Sequence, residues 1–483
     1  MRQVLCAAAL LLPAIVSGQP YDHVTVTTDS FVTRFAPLGA WLENNVGLAD
    51  TTVSAEAIYA SFPGRDRAEK IRSFIRHAYQ NWGTTHVLLG GDDDILPCRK
   101  GWVDASSILP PIKDTVPTDL YFSDLDGDWD RDGDSLFGEV EDSVDLYPDV
   151  HVARLPATYI SSVDLFVDKF LAYCADSSAA YLRNVLLTGF DISHNPEVLG
   201  EATMELYDSA YLPQSMKPCT RVYDSHTGNH RTAVLNALNA GQHIYIQWDH
   251  GGTDAYGCGW ENHNWTLGRA DVQNLTNGPN YTIFIAVGCL TGHFDGMDCI
   301  LEYALGAPNG GAVAGIGNSR LGVLDAYNPQ RKYAAMMVEG FVSSLFGHSG
   351  PGSLEDFTAS RARAAPFADT NLVSRWSDYE MNLMGAPAMP VWVTSGSGVE
   401  ENHKPRASSP KLGTTVVRGV LFLPRDMTEL PGNSDRVPRP LLLDICGRSV
   451  MTLKPGPNHV SHLASGVYFV CAAQRVNRVV VAR

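Results

Sequence analysis

Short, wholly apolar runs alternate with amphipathic stretches along most of the chain. From Tyr21 to Val53 the segment VTVTTDSFV leads into FAPLGAWLENNVGL, a pattern that predicts a strand followed by a helix. In RAEKIRSFIRHAYQNW, Ile71, Phe74, Ile75, Ala78, Tyr79 and Trp82 recur at helical spacing, so one face is apolar, and Gly83 closes the helix. HVLLGGDDDILP then reads as a buried strand ending in Gly and Asp. Strand, helix, strand with intervening turns is the rhythm of a parallel sheet.

The same rhythm resumes further on. SSVDLFVDKFLAYC has helical periodicity, NVLLTGFD predicts a strand ending at Asp191, and RTAVLNALNAGQ predicts a helix feeding the strand HIYIQWDHGG. DVQNLTNG leads into the strand YTIFIAVGC, and CILEYALGAPNGGAVAGIGNSR predicts a helix and one more strand. The pattern implies two α/β halves that meet near Arg154-Leu155-Pro156. After Trp392 the polar stretch TSGSGVEENHKPRASSP marks a linker, and beyond Lys411 the short runs VVRGVLFL, PLLLDI, GVYFVCAA and NRVVVAR predict a small all-β domain. The expected organisation is a leader over 1–18, an amino-terminal α/β subdomain over 19–155, a second α/β subdomain over 156–393, a linker over 394–411 and a β domain over 412–483.

Composition narrows the function classes. At 483 residues the chain exceeds what one hydrophobic core usually serves. A formal net charge of -17, with no cluster of Lys and Arg, argues against nucleic-acid binding. Met1-Arg2, the apolar stretch Val4 to Val16 and the small residues Ser17-Gly18 have the layout of a secretory leader, so export is expected. No later segment has roughly 18 or more consecutive apolar residues, so no integral membrane segment is expected in the mature form. Nine cysteines are present and Cys6 leaves with the leader. If one of the other eight is catalytic, the remaining seven cannot all pair, and a further thiol is free.

His250 and Cys289 carry the chemistry. Each follows an apolar run and adjoins a glycine, which places both on the edge where open α/β sheets bind ligands. A thiol and an imidazole brought together there supply a nucleophile and its general base. The peptide N–H groups of Gly251 and Cys289 are candidates for the oxyanion site, and Asp191, by its position at a strand end, is the candidate to orient the imidazole. Cys299 falls on the packed face of a helix and reads as structural. Cys258 and His263 lie in the loop after His250 without the spacing of a zinc site. His226 and His230 lack the Glu of a zincin, and Ser319 lacks the second glycine of a serine elbow, since Leu321 stands there.

The acidic segment adds a cation site. Asp128, Asp130, Asp132, Gly133 and Glu139 fit the template D-x-D-x-D-G-x5-E, with Asp134 offering its backbone carbonyl. No amphipathic helix flanks it, so the pattern predicts a structural calcium loop without an EF-hand. No organic cofactor is expected.

The ordered blocks PLGAWL, IRSFIRHAYQNW, HVLLGGDDDILP, PTDLYFSDLDGDWD, DVHVARLP, DHGG, VGCLTGHFD, CILEYAL and GGAVAGIGNSR resemble those of the gingipain-type cysteine peptidases, from about Tyr21 to Trp392. The resemblance implies a caspase-like, doubly wound α/β fold, with His250 as base and Cys289 as nucleophile in an endopeptidase acting on proteins or peptides through a thioester acyl-enzyme. It also suggests cleavage after basic residues, for which Asp191, Glu201 and Asp254 are candidate pocket acids. The block NLMGAPAMPVW departs from the family's Gly-Asp-Pro, because Ala386 replaces the acid. The final segments ICGRSVMTLKPG and LASGVYFVCAAQRVNRVVVAR resemble the sorting domain read by type IX secretion. That implies passage across an outer membrane, with the secretion machinery as a partner. A processing peptidase of that machinery and a non-catalytic surface adhesin on the same fold are the alternative functions.

Overall fold

The structure is a computed structural model. It describes residues 20–106, 111–257, 266–325, 327–347 and 351–393, and in the tail residues 415–417, 420–423, 441–444, 449–454, 456–460, 463, 466–472 and 475–481. The leader, the linker, and Cys258 with His263 lie outside the described residues.

Ten strands form one mostly parallel sheet. In chain order they are β1 (His23–Thr27), β2 (Asp50–Ser54), β3 (His86–Gly90), β4 (His151–Leu155), β5 (Val185–Gly189), β6 (Thr220–Tyr223), β7 (Ile244–Trp248), β8 (Thr282–Ala286), β9 (Ala312–Asn318) and β10 (Met381–Met384). Side by side they run β6-β5-β7-β8-β9-β10-β4-β3-β1-β2. β10 lies antiparallel to β9 and meets β4 through the single pair Met384 and Arg154. The two halves seen in the sequence are therefore the two wings of one continuous sheet.

The apolar runs form central strands because both faces are covered, so successive residues bury in opposite directions. Ile244 and Ile246 join one core layer with Phe166, Phe170 and Met337, whereas Tyr245 joins the opposite layer with Leu301 and Ala304. On the other wing Val87 and Leu89 pack with Ile71, Phe74 and Ile75 of the helix Arg67–Trp82. That helix starts where the Asp66 carboxylate accepts the Glu69 N–H at 2.8 Å and ends where Gly83 adopts a left-handed φ of 80°.

The first compact unit reaches Glu401 and a second begins at Asn402. In the second, Thr415–Val417, Arg475–Val481, Gly466–Ala472, Leu441–Asp444 and Ser449–Thr452 form a five-stranded sheet over a small core of Leu442, Leu453, Val460, Tyr468 and Val470.

Candidate active site

β7 and β8 are parallel neighbours, with Ile244 opposite Ile283 and Gln247 opposite Ala286. The loops that leave them therefore emerge on one edge, and those loops carry His250 and Cys289. They touch backbone to backbone. A methyl group on Gly251 would stand 3.0 Å from Gly288 Cα and from the Cys289 carbonyl, and one on Gly288 would stand 2.9 Å from Gly251 Cα. Side chains at either position would push the two loops apart. The buried Gln247 side chain ties them as well, donating to the His250 carbonyl at 3.2 Å and accepting from the Gly288 N–H at 3.4 Å.

A third segment, at the end of β9 and just after it, bonds to the Cys289 loop. Leu290 N–H donates to the Arg320 carbonyl and Gly292 N–H to the Asn318 carbonyl, each at 2.9 Å. The Cys289 thiol faces the Gly322 carbonyl at 3.7 Å. Leu290 takes a φ of 59°, a left-handed conformation that a branched side chain adopts only under constraint. Arg320, whose carbonyl accepts from Leu290, is itself held by Asp295, whose oxygens lie 2.7 and 2.9 Å from its guanidinium, with Lys100 at 2.7 Å from the second oxygen. Burial works to raise the Asp295 carboxyl, but these two cations hold it below the usual carboxylate range.

The imidazole has a defined orientation. Its Nε2 lies 3.0 Å from the Ile192 carbonyl, which can only accept, so Nε2 is the donor. Ile192 belongs to the short strand Asp191–His194, which hairpins with Glu197–Leu199. The strand that sequence carries to Asp191 ends at Gly189, and the Asp191 N–H then donates to the Asp224 carboxylate at 2.6 Å. The orienting group seen at Nε2 is thus a backbone carbonyl next to Asp191. No residue type marks such a carbonyl in sequence, and the Gln247 bridge is equally silent.

The rival residues are engaged elsewhere. Cys299 is fully buried and its thiol is pushed well up by burial. Ser319 is buried with its hydroxyl on the Pro117 carbonyl at 2.8 Å. His230 Nε2 donates to the His226 carbonyl, so the two do not converge as metal ligands. Of the candidate specificity acids, Glu201 accepts from the Ser225 hydroxyl at 2.6 Å and Asp254 pairs with Arg269. Ala386 sits fully buried in the core. Among the described residues Cys98, Cys174, Cys219 and Cys299 are buried and form no disulfide, so more than one cysteine besides Cys289 is unpaired.

Gly133 takes a φ of 79° at the sharp turn, and carboxylate oxygens of Asp130, Asp132 and Asp134 lie within 4.8 Å of one another. Asp128 and Glu139 stand outside that convergence, and Asp134 joins it by its carboxylate rather than its carbonyl. Asp130 also accepts from Ser135 N–H at 2.9 Å and pairs with Arg65. Burial raises the Glu139 carboxyl, and the like charges of Asp134, Glu141, Asp132 and Asp142 raise it further. Three converging oxygens inside an excess of negative charge fit a hard divalent cation. A further acidic group has no signature in the sequence. Asp92, just past β3, meets Asp298 and Glu302 within 4.8 Å, and burial first, then its acidic neighbours, pushes Asp92 up to about 6.

A thiol and an oriented imidazole on the loop edge of a doubly wound sheet define a cysteine-type hydrolase. The chain belongs to peptidase family C25, whose family model matches residues 17–392. Among solved structures, it is similar to one described as a protease, with 18% identity, 95% of this chain and 97% of that one covered, and a TM-score of 0.57. It is also similar to the Arg-specific cysteine proteinase gingipain R, with 16% identity, 96% and 98% covered, and a TM-score of 0.57. A complex of the pro- and mature domains of RgpB from Porphyromonas gingivalis gives 16% identity, 95% and 100% covered, and a TM-score of 0.56. No match is found among curated protein sequences. The protein is a cysteine-type peptidase with the gingipain fold.

Proposed function

We propose that the protein is a secreted cysteine endopeptidase in which Cys289 attacks and His250 shuttles the proton. The Gly251–Gly288 contact carries this reading, because it joins the loops of the base and the nucleophile through backbone that admits no side chain. His250 Nδ1 takes the thiol proton, and the thiolate adds to the scissile carbonyl carbon. The N–H groups of Cys289 and Gly251 face the oxyanion that develops. The imidazolium then protonates the departing amine, leaving a thioester on Cys289. Water, deprotonated by the same Nδ1, hydrolyses the thioester and restores the thiol. The Ile192 carbonyl keeps the proton on Nε2 throughout, and Asp191 acts through the position of its hairpin.

Calcium on the Asp130, Asp132 and Asp134 oxygens rigidifies the acidic segment, and the family supports cleavage of protein substrates, with basic residues the preferred position. No helix among the described residues is long and apolar enough to cross a membrane. The leader and the β-rich tail support export through type IX secretion to the surface or medium.

The test is Cys289→Ala against a peptide library, read by mass spectrometry. The wild-type protein cleaves, with sites clustered after Arg or Lys, and the variant does not. Undiminished hydrolysis by the variant overturns the assignment, and a thiol probe that labels nothing at Cys289 favours a binding role.

A further inference from the structure

At the far end of the strands that reach the Cys289 loop, three side chains gather that peptide hydrolysis does not use. His86 and His151 are the first residues of β3 and β4 and stand opposite one another in register. The carboxyl ends of the same wing lie toward the nucleophile loop, where the Arg154 guanidinium rests 5.1 Å from the Phe294 ring. Each five-residue strand spans about 13 Å between those ends. The two imidazoles pack with ring centroids 4.8 Å apart, and Glu355 closes the group, its Oε2 at 2.7 Å from His86 Nε2 and 3.9 Å from His151 Nε2.

We infer that His86, His151 and Glu355 form a binding site for a first-row divalent transition metal, zinc by preference, which clamps the helix Asp356–Ala368 to the amino ends of β3 and β4. Tetrahedral bonds of about 2.0–2.1 Å put ligand atoms ~3.3 Å apart, and the observed 2.7 and 3.9 Å bracket that value. All three ligand atoms lie within 4.8 Å of one another. Both rings are held from behind, His86 Nδ1 by the Thr85 hydroxyl at 2.8 Å and His151 Nδ1 by the Thr358 hydroxyl at 2.9 Å. A hydroxyl can accept from Nδ1–H, which leaves each Nε2 its lone pair for a metal, the outer-shell arrangement of protein zinc sites. Two imidazoles exclude calcium, which takes oxygen ligands, and select zinc or its neighbours. Side-chain exposures of 7%, 18% and 27% leave the group a route from solvent.

The test is Co2+ titration of full-length protein carrying Cys289→Ala, which removes the active-site thiol as a competing ligand. One equivalent binds with visible d–d absorption and is displaced by Zn2+ and not by Ca2+. His151→Ala and Glu355→Gln each weaken binding at least 100-fold, and Thr358→Val weakens it by roughly 10–100-fold. Should circular dichroism show that His151→Ala does not fold, Glu355→Gln and Thr358→Val decide the matter. Uptake that is absent, or that persists undiminished in these variants, overturns the inference and leaves the trio a plain ion pair.

Discussion

Arg154 grips Asp119 with two parallel hydrogen bonds, Nε to Oδ2 at 2.8 Å and Nη2 to Oδ1 at 2.7 Å, and both side chains are buried. The remaining nitrogen, Nη1, donates to the carbonyls of Gly91 and Leu96 at 2.9 and 2.7 Å. One side chain thus joins β4 to the turn after β3 and to the segment leading into the acidic loop. Asp119→Ala leaves a buried guanidinium uncompensated and costs about 3–5 kcal/mol of unfolding free energy, measured by urea denaturation. A loss below about 1 kcal/mol would show that water reaches the pair.

Gly288→Ala separates stability from catalysis. The added methyl meets Gly251 Cα at 2.9 Å and the His250 carbonyl at 3.0 Å, all of it backbone that cannot rotate away. The loops must part by a fraction of an ångström, and kcat/KM falls by about 100-fold or more while the circular dichroism spectrum is kept. Gly252→Ala is the control. No described atom lies within 4 Å of the position its methyl would take, and it retains near wild-type activity. Equal activity in both variants refutes the claim that this contact sets the site.

The strands of the site were legible because burial on both faces writes itself as unbroken apolar runs, as in Ile244–Trp248 and Thr282–Ala286. His250 and Cys289 followed, since each stands just beyond such a run. A single doubly wound sheet was expected, but the way its halves join was not legible. Its wings are joined by β10, a four-residue strand whose partners Gly315 to Asn318 precede it by more than sixty residues, and no local pattern records that pairing. The Ile192 carbonyl went unseen because every residue has one. His86 and His151 went unseen because each alone is an ordinary strand start, and only the register of β3 with β4 brings them face to face. The acidic loop was legible in spacing but not in detail, because Asp130 also answers to Arg65, which comes from another element.

Below pH 6.5 a buried histidine draws on the stability of the fold, while buried carboxyls raised like Asp92 act in the opposite direction. His243 is fully buried, with its ring between the Tyr173 hydroxyl at 2.8 Å and the Leu182 carbonyl at 2.9 Å. Burial draws it from 6.5 down to about 4, partly offset by that carbonyl. Above pH 6.5 neither the folded nor the unfolded chain protonates it, and its contribution is flat. Between pH 6.5 and 4 the unfolded chain takes up a proton that the folded one refuses, and stability falls by on the order of 3 kcal/mol. His23, also lowered first by burial, acts in the same direction. Urea midpoints measured from pH 7.5 to 4 show the decline, and His243→Gln, although less stable at pH 7.5, shows a shallower one. An unchanged slope in that variant assigns the acid sensitivity elsewhere.

Removing calcium loosens the acidic segment without touching the thiol. The Asp130, Asp132 and Asp134 oxygens converge within 4.8 Å, and Glu139 is raised by partial burial and then by the surrounding acids, so an empty loop is a site of mutual repulsion. The segment is anchored at Gly138, whose N–H donates to the Trp129 carbonyl and the Asp142 carboxylate at 2.7 and 2.8 Å and whose carbonyl accepts from Arg375 Nη1 at 2.7 Å. Chelation therefore frays the loop between Trp129 and Gly138 and lowers the thermal midpoint. With free calcium at about 100 times the dissociation constant, the stabilisation lost is ~2.7 kcal/mol. Asp132→Asn lowers the midpoint in calcium and makes it insensitive to chelator. It also eases the repulsion in the empty loop, so in the presence of chelator the variant is no less stable than the wild-type protein. A midpoint that ignores chelation in both proteins, with no calcium found by elemental analysis, reduces the segment to a solvated turn pinned by Gly138 and Arg65.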